Sequence, residues 1–162
     1  MNLIEATVTD AGLLFADVTL PLPNNKDLSG YGGRTVVVGI RPNEFEDAAL
    51  VRDASLPSLE VRVDMVEELG AEMNVIFTLA ASSVVTDATR AVHQEAAEAG
   101  SSIMRVAEVA GRAVCTAQVD ARSCIRAVAT ARLCVDVDRL HFFDRESQLA
   151  IRSPGGRRVA EE

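Results

Sequence analysis

Two groups of carboxylates are the residues best equipped for chemistry. The first follows a valine-rich run in "GIRPNEFED", where Arg41 and Pro42 precede Glu44, Glu46 and Asp47. The second is "VEELGAE", where Glu67, Glu68 and Glu72 flank Gly70. Paired carboxylates can act as general acid and base or hold a hard cation, but their commoner role is a solvated rim, and a partner surface is the next reading. The two histidines, His93 and His141, lie far apart and lack companions at metal-ligand spacing. No Gly-x-Ser-x-Gly elbow occurs, and Ser29, Ser82, Ser83 and Ser123 fall in turn-like settings where serine serves the backbone. Cys115, Cys124 and Cys134 form no Cys-x-x-Cys pair, so they are expected as buried or half-buried thiols. Phe142 and Phe143 have no basic residues beside them to make a stacking platform for single strands, which favours packing.

The elements that must position these residues are mostly strands. "NLIEATVT" and "LLFADVTLPLP" read as two strands joined at Asp10-Ala11-Gly12, and "NNKDLSGYGG" as a loop. "RTVVVGIRP" reads as a buried strand stopped by Pro42. In "LEVRVDMVEELGAEMNVIFTL", Leu59, Val61, Val63 and Met65 alternate with Glu60, Arg62 and Asp64, and the pattern resumes at Met73, Val75, Phe77 and Leu79. That predicts an antiparallel pair bent at Gly70, with firm register. "TDATRAVHQEAAEAG" predicts a helix over 86–99 with Thr86 as N-cap and Gly100 as stop. Further strands are expected in "GRAVCTAQVD", "ATARLCVDVD", "DRLHFFD" and "QLAIR". These short strands and one helix make a mostly β domain, for which a small OB-like Greek-key barrel is the natural candidate. It spans residues 1–152, with a helical insertion at about 80–110 and a flexible tail over 153–162.

Composition narrows the function. The chain has 162 residues, 48% of them hydrophobic, so one core forms without disulfides or metal. A net charge of −8 with Lys26 as its one lysine argues against nucleic acid or an anionic membrane as partner. No signal peptide or membrane-spanning run is present, so a cytosolic protein is expected. "LSGYGGR", Leu28 to Arg34, resembles the "LSGGQ" signature with which transporter ATPases grip ATP. It is followed by Gly39-Ile40-Arg41-Pro42 in place of a strand ending Asp-Glu, and no Gly-x-x-x-x-Gly-Lys-Ser/Thr loop exists. This chain is therefore not expected to hydrolyse ATP.

Three motifs in order carry a family resemblance: "GIRP" plus an acid, "V-x-x-V-E-x-L-G-x-E" from Val63 to Glu72, and "DxxRLHFFD" from Asp136 to Asp144 before "AIR". Together they resemble the C-terminal regulatory domain of carbohydrate ABC-importer ATPases, the family of the maltose, glycerol-3-phosphate and trehalose importers. Met1-Asn2-Leu3-Ile4 also resembles the junction at which that domain follows the nucleotide-binding domain. The resemblance implies an OB-like domain of the type called TOBE, non-catalytic by itself and detached here from its nucleotide-binding domain. It implies contact with a second copy, with the parent nucleotide-binding domain and, through it, with membrane subunits at the inner face of the cell membrane. A regulatory protein or small molecule is a further implied partner. No cofactor is implied for this chain, since ATP and Mg belong to the nucleotide-binding domain. Trehalose or another disaccharide is the expected cargo. The matching motifs mark Arg41, Pro42, Glu44, Glu67, Glu68, Gly70, Glu72, Arg139, His141, Phe142 and Asp144 as interface or regulatory candidates. The family commonly reads Arg-Pro-Glu followed by His or Asp, whereas here the acid is displaced by one position to Glu44. Arg41 is expected to sit on a rigid corner and meet Glu67, Glu68 or Glu72, within the chain or across a twofold axis. The competing reading is a free-standing module that binds an oxyanion such as molybdate through "SGYGGRT".

Overall fold

A computed structural model describes residues 1–53, 55–82, 84 and 112–151. The helix expected at 86–99, most of the insertion and the 153–162 tail lie outside them.

Alternating apolar residues build two five-stranded antiparallel sheets. The first runs in the order β10-β4-β1-β2-β3 and comprises β1 (Asn2–Thr9), β2 (Gly12–Phe15), β3 (Val18–Leu20), β4 (Thr35–Ile40) and β10 (His141–Asp144). The second runs β5-β9-β6-β7-β8, from β5 (Phe45–Asp47), β6 (Ser58–Glu68), β7 (Glu72–Leu79), β8 (Ala113–Asp120) and β9 (Thr130–Val135). Short 3₁₀ turns at Ser29–Tyr31, Pro42–Glu44 and Val137–Arg139 are the helical pieces among the described residues. The fold is the OB-like, mostly β one expected, with ten described strands where nine strand stretches were read.

Both sheets turn their apolar faces to one core. Ile4, Val36, Val38 and Phe142 from the first meet Phe77, Val75, Leu133 and Val135 from the second, all at most 1% exposed. Phe45 and Phe77 pack edge to face with centroids 5.7 Å apart. β4 is buried on both faces because Met1 and Phe143 cover Gly39 from outside.

Asn2 joins the sheets with its side chain. Its Nδ2 donates to the carbonyls of Ile40 (3.0 Å) and Thr116 (2.9 Å), and its Oδ1 accepts from the Thr116 N–H (2.8 Å). The amide thus stands in for a missing rung between β4 and β8. Asn2→Ala leaves the Thr116 N–H and C=O without these partners and is expected to cost about 2 kcal/mol in urea unfolding. A loss below ~0.5 kcal/mol would show that water replaces the amide freely.

Three local features depart from expectation. "LLFADVTL" is a β2–β3 hairpin, turned at Ala16-Asp17 with Ala16 at φ 49°. β6 does not keep one register: Val63 faces Phe77 but Met65 faces Ile76, so Asp64 is an extra residue. The bulge leaves Met65 half-buried and lets the Asp64 carboxylate accept from the Thr78 hydroxyl at 2.6 Å. "QLAIR" forms only a bridge, Phe143 to Ala150, rather than a strand.

Candidate functional site

Pro42 ends β4 because it cannot donate to the ladder, and the chain folds at once into the Pro42–Glu44 turn. Arg41 sits at its N-cap, extended at φ −73° and ψ 146°. Glu44 reaches back, its Oε2 accepting the Arg41 N–H at 2.9 Å and its Oε1 lying 3.3 Å from Arg41 Nη1. Displacing the acid by one position makes this local closure possible. His141, the first residue of β10, brings Nε2 to 3.8 Å from the same Oε1, and that nitrogen is buried without a hydrogen bond. The Glu44 side chain is 1% exposed, against 55% for that of Arg41 and 34% for that of His141. The corner is therefore a buried carboxylate ringed by a half-exposed guanidinium and an imidazole.

The candidate residues fall into three places. Arg41, Pro42, Glu44 and His141 come together at this corner. Glu67, Glu68, Gly70 and Glu72 stay at the exposed β6–β7 hairpin, where Gly70 takes φ 89° and the Leu69 N–H closes on the Glu72 carbonyl at 2.8 Å. There Glu67 accepts from Asn74 (3.4 Å) and Glu72 from Gln118 (2.6 Å). Within the described chain Arg41 pairs with Glu44 and with none of these three, which corrects the expected intrachain pairing. Arg139 is exposed on the last 3₁₀ turn, and Phe142 is 1% exposed core. Asp144 accepts from the Ser147 N–H (2.7 Å) and hydroxyl (2.8 Å), bonds that hold its carboxyl below the usual range, and Arg34 lies 3.7 Å away.

The solvated-rim reading fails for two acids. Glu44 and Asp47 are 4% and 8% exposed, and Glu46 between them stays outside. Sequence reasoning missed the partner of Asp47. Its Oδ2 accepts from the Ser123 hydroxyl at 2.6 Å, across 76 residues, and its Oδ1 from the Ala49 N–H at 2.9 Å. The in–out–in order of Phe45-Glu46-Asp47 was the available signal. Among the described residues no group of three or more His, Cys, Asp or Glu side chains is placed to hold a metal. The "SGYGGRT" loop is not an open nest, because the N–H groups of Tyr31, Gly33 and Arg34 bond to the carbonyls of Leu28, Val8 and Tyr31. No described helix is long and apolar enough to cross a membrane.

Fold and motifs together define an OB-type domain, and residues 1–45 match the family model described as the MalK OB fold domain. Over 114 residues the chain is 34% identical to the diacetylchitobiose uptake system ATP-binding protein MsiK of Streptomyces coelicolor, covering 60% of this chain and 30% of that protein. It is 31% identical over 157 residues to the trehalose import ATP-binding protein SugC of Mycobacterium tuberculosis, covering 91% of this chain and 37% of that protein. Against the oligosaccharides import ATP-binding protein MsmX of Bacillus subtilis it is 22% identical over 94% of its length, covering 34% of that relative. Residues 1–45 are thus similar to the MalK OB fold domain, the relatives are sugar-importer ATP-binding subunits, and the chain is consistent with the C-terminal regulatory OB domain of one. It spans about a third of the length of the curated relatives it matches.

Proposed function

We propose that this chain is the regulatory and dimerisation domain, non-catalytic by itself, of the ATP-hydrolysing subunit of a carbohydrate importer. It holds two such subunits together while their nucleotide-binding domains open and close, and it receives regulatory signals. The observation that carries this reading is the coverage: 91–94% of the chain aligns with only about a third of importer ATP-binding proteins. The exposed Arg41 side chain and the acidic β6–β7 hairpin, unpaired with each other within the described chain, are the complementary charges that support contact between copies. A disaccharide such as trehalose is the proposed cargo, supported by the likeness to SugC.

Sedimentation equilibrium across a wide protein concentration range tests the dimerisation role. The expected result is a reversible dimer whose association weakens with rising salt, as for charge pairs at a subunit contact. Reversing the charges of Glu67 and Glu68 is expected to weaken it by roughly tenfold, about 1.4 kcal/mol. A monomer at every concentration would remove this role.

A further inference from the structure

We propose that the cleft between β5 and the loop joining β8 to β9 binds a small organic anion, a phosphate or carboxylate ester-sized molecule, gripped by Arg126 and Arg132. The cleft measures about 490 Å³ and is lined by both arginines, Thr130, Cys124 and Asp47. Such a volume lies within the range of small-molecule sites and exceeds what a bare inorganic ion fills.

Its cations are unsatisfied. Arg34, Arg41, Arg122 and Arg145 each pair with a carboxylate. Among the described residues, neither Arg126 nor Arg132 has an ion-pair or hydrogen-bond partner for its guanidinium. Glu60 stands opposite Arg132 across β6 and β9, and Glu46 opposite Cys134, yet neither acid comes within ion-pair reach of the two guanidiniums. The lining carboxylate, Asp47, is already engaged by the Ser123 hydroxyl and the Ala49 N–H, so in a chain of net charge −8 the two arginines give this concavity a local excess of positive charge. Planar guanidiniums match the paired oxygens of phosphate and carboxylate alike.

The walls are built rather than loose. The buried Asp47–Ser123 hydrogen bond ties one wall to the other, and the Ile125 N–H bonds back to the Ser123 hydroxyl at 3.2 Å. Val128 holds the far end of the loop at φ 60°, a conformation that a β-branched residue seldom adopts, although its side chain is 73% exposed. Reciprocal bonds to Val63, from the Val128 N–H and to the Ala129 carbonyl, each 2.9 Å, enforce it. Strain maintained in this way fixes the loop that carries Arg126.

Cys124 supplies the test. It is the exposed thiol in the cleft, whereas Cys115 and Cys134 are buried and serve as internal controls. Iodoacetamide alkylation of Cys124 in the full chain is followed by peptide mass spectrometry, with ribose 5-phosphate or citrate against sodium chloride at matched ionic strength. The expected result is a severalfold slowing by at least one anion at millimolar concentration. Arg126→Ala and Arg132→Ala should each raise the concentration needed by roughly tenfold. Slowing by ribose 5-phosphate alone makes the ligand an organic phosphate, and slowing by citrate alone a carboxylate. No slowing by either, or slowing unchanged in both arginine variants, overturns the proposal.

Discussion

Gly12→Ala is expected to lower the stability of this chain by about 3–5 kcal/mol, enough to leave much of it unfolded. Gly12 opens β2 at φ 139°, a backbone conformation that side chains with a Cβ rarely adopt. A Cβ there would also fall inside contact distance of the Leu20 carbonyl oxygen and crowd the Thr19 methyl. Neither neighbour is free to yield. Leu20 is 1% exposed and registers against Leu13, so moving its backbone would pull two core leucines out of place. The Gly12 carbonyl is also committed, accepting the Thr9 hydroxyl at 2.8 Å. Urea unfolding followed by circular dichroism measures the loss. A variant within ~0.5 kcal/mol of wild type, the scatter of ordinary surface substitutions, would mean that β3 does not approach β2 this closely.

The second large effect is at the corner. Glu44→Ala is expected to cost about 2–3 kcal/mol, because it strips the Arg41 N–H of its acceptor and empties a site that is almost wholly buried. Glu44→Gln keeps an acceptor for that N–H and should lose about half as much. Arg41→Ala should cost less than ~1 kcal/mol, since more than half of its side chain is in water and the ion pair is screened. The order Ala above Gln above Arg41→Ala identifies Glu44 as a backbone cap first and an ion-pair partner second. An Arg41→Ala loss equal to that of Glu44→Ala would reverse that ranking. The same series separates folding from association, because Arg41 can be removed with the corner intact.

These two positions also show what the sequence could and could not convey. Alternation located β1, β7 and β8 because each buries every second residue, and the continuous apolar run of β4 marked a strand buried on both faces. The β2–β3 hairpin was hidden because Ala16-Asp17 lacks the Asn-Gly chemistry that announces a tight turn, and Ala16 adopts φ 49° without it. The bulge at Asp64 was invisible for a related reason. Val63-Asp64-Met65-Val66 reads as a continuous strand, and only pairing with β7 and the Thr78 hydroxyl shows where the extra residue sits. For the site, proline and arginine marked where β4 ends and the chain turns. Within the chain Arg41 meets Glu44 and not the hairpin acids, because a turn closing over three residues competes better than carboxylates on a distant hairpin. Asp47 and Ser123 were read as rim and turn because their bond spans 76 residues, and the alternation of Phe45-Glu46-Asp47 signals only that Asp47 points inward and not what it meets.

The central claim is that this chain is the regulatory part of an importer ATPase subunit, and the mass of the native polypeptide that carries it tests this most directly. Peptides of the described strands, recovered from the source cells under denaturing separation, report the size of their parent. The account predicts a product about three times as long as this chain, as the relatives are, whose other peptides include a phosphate-binding loop. A product of only 162 residues would contradict it, leaving an OB-like domain without a motor to regulate.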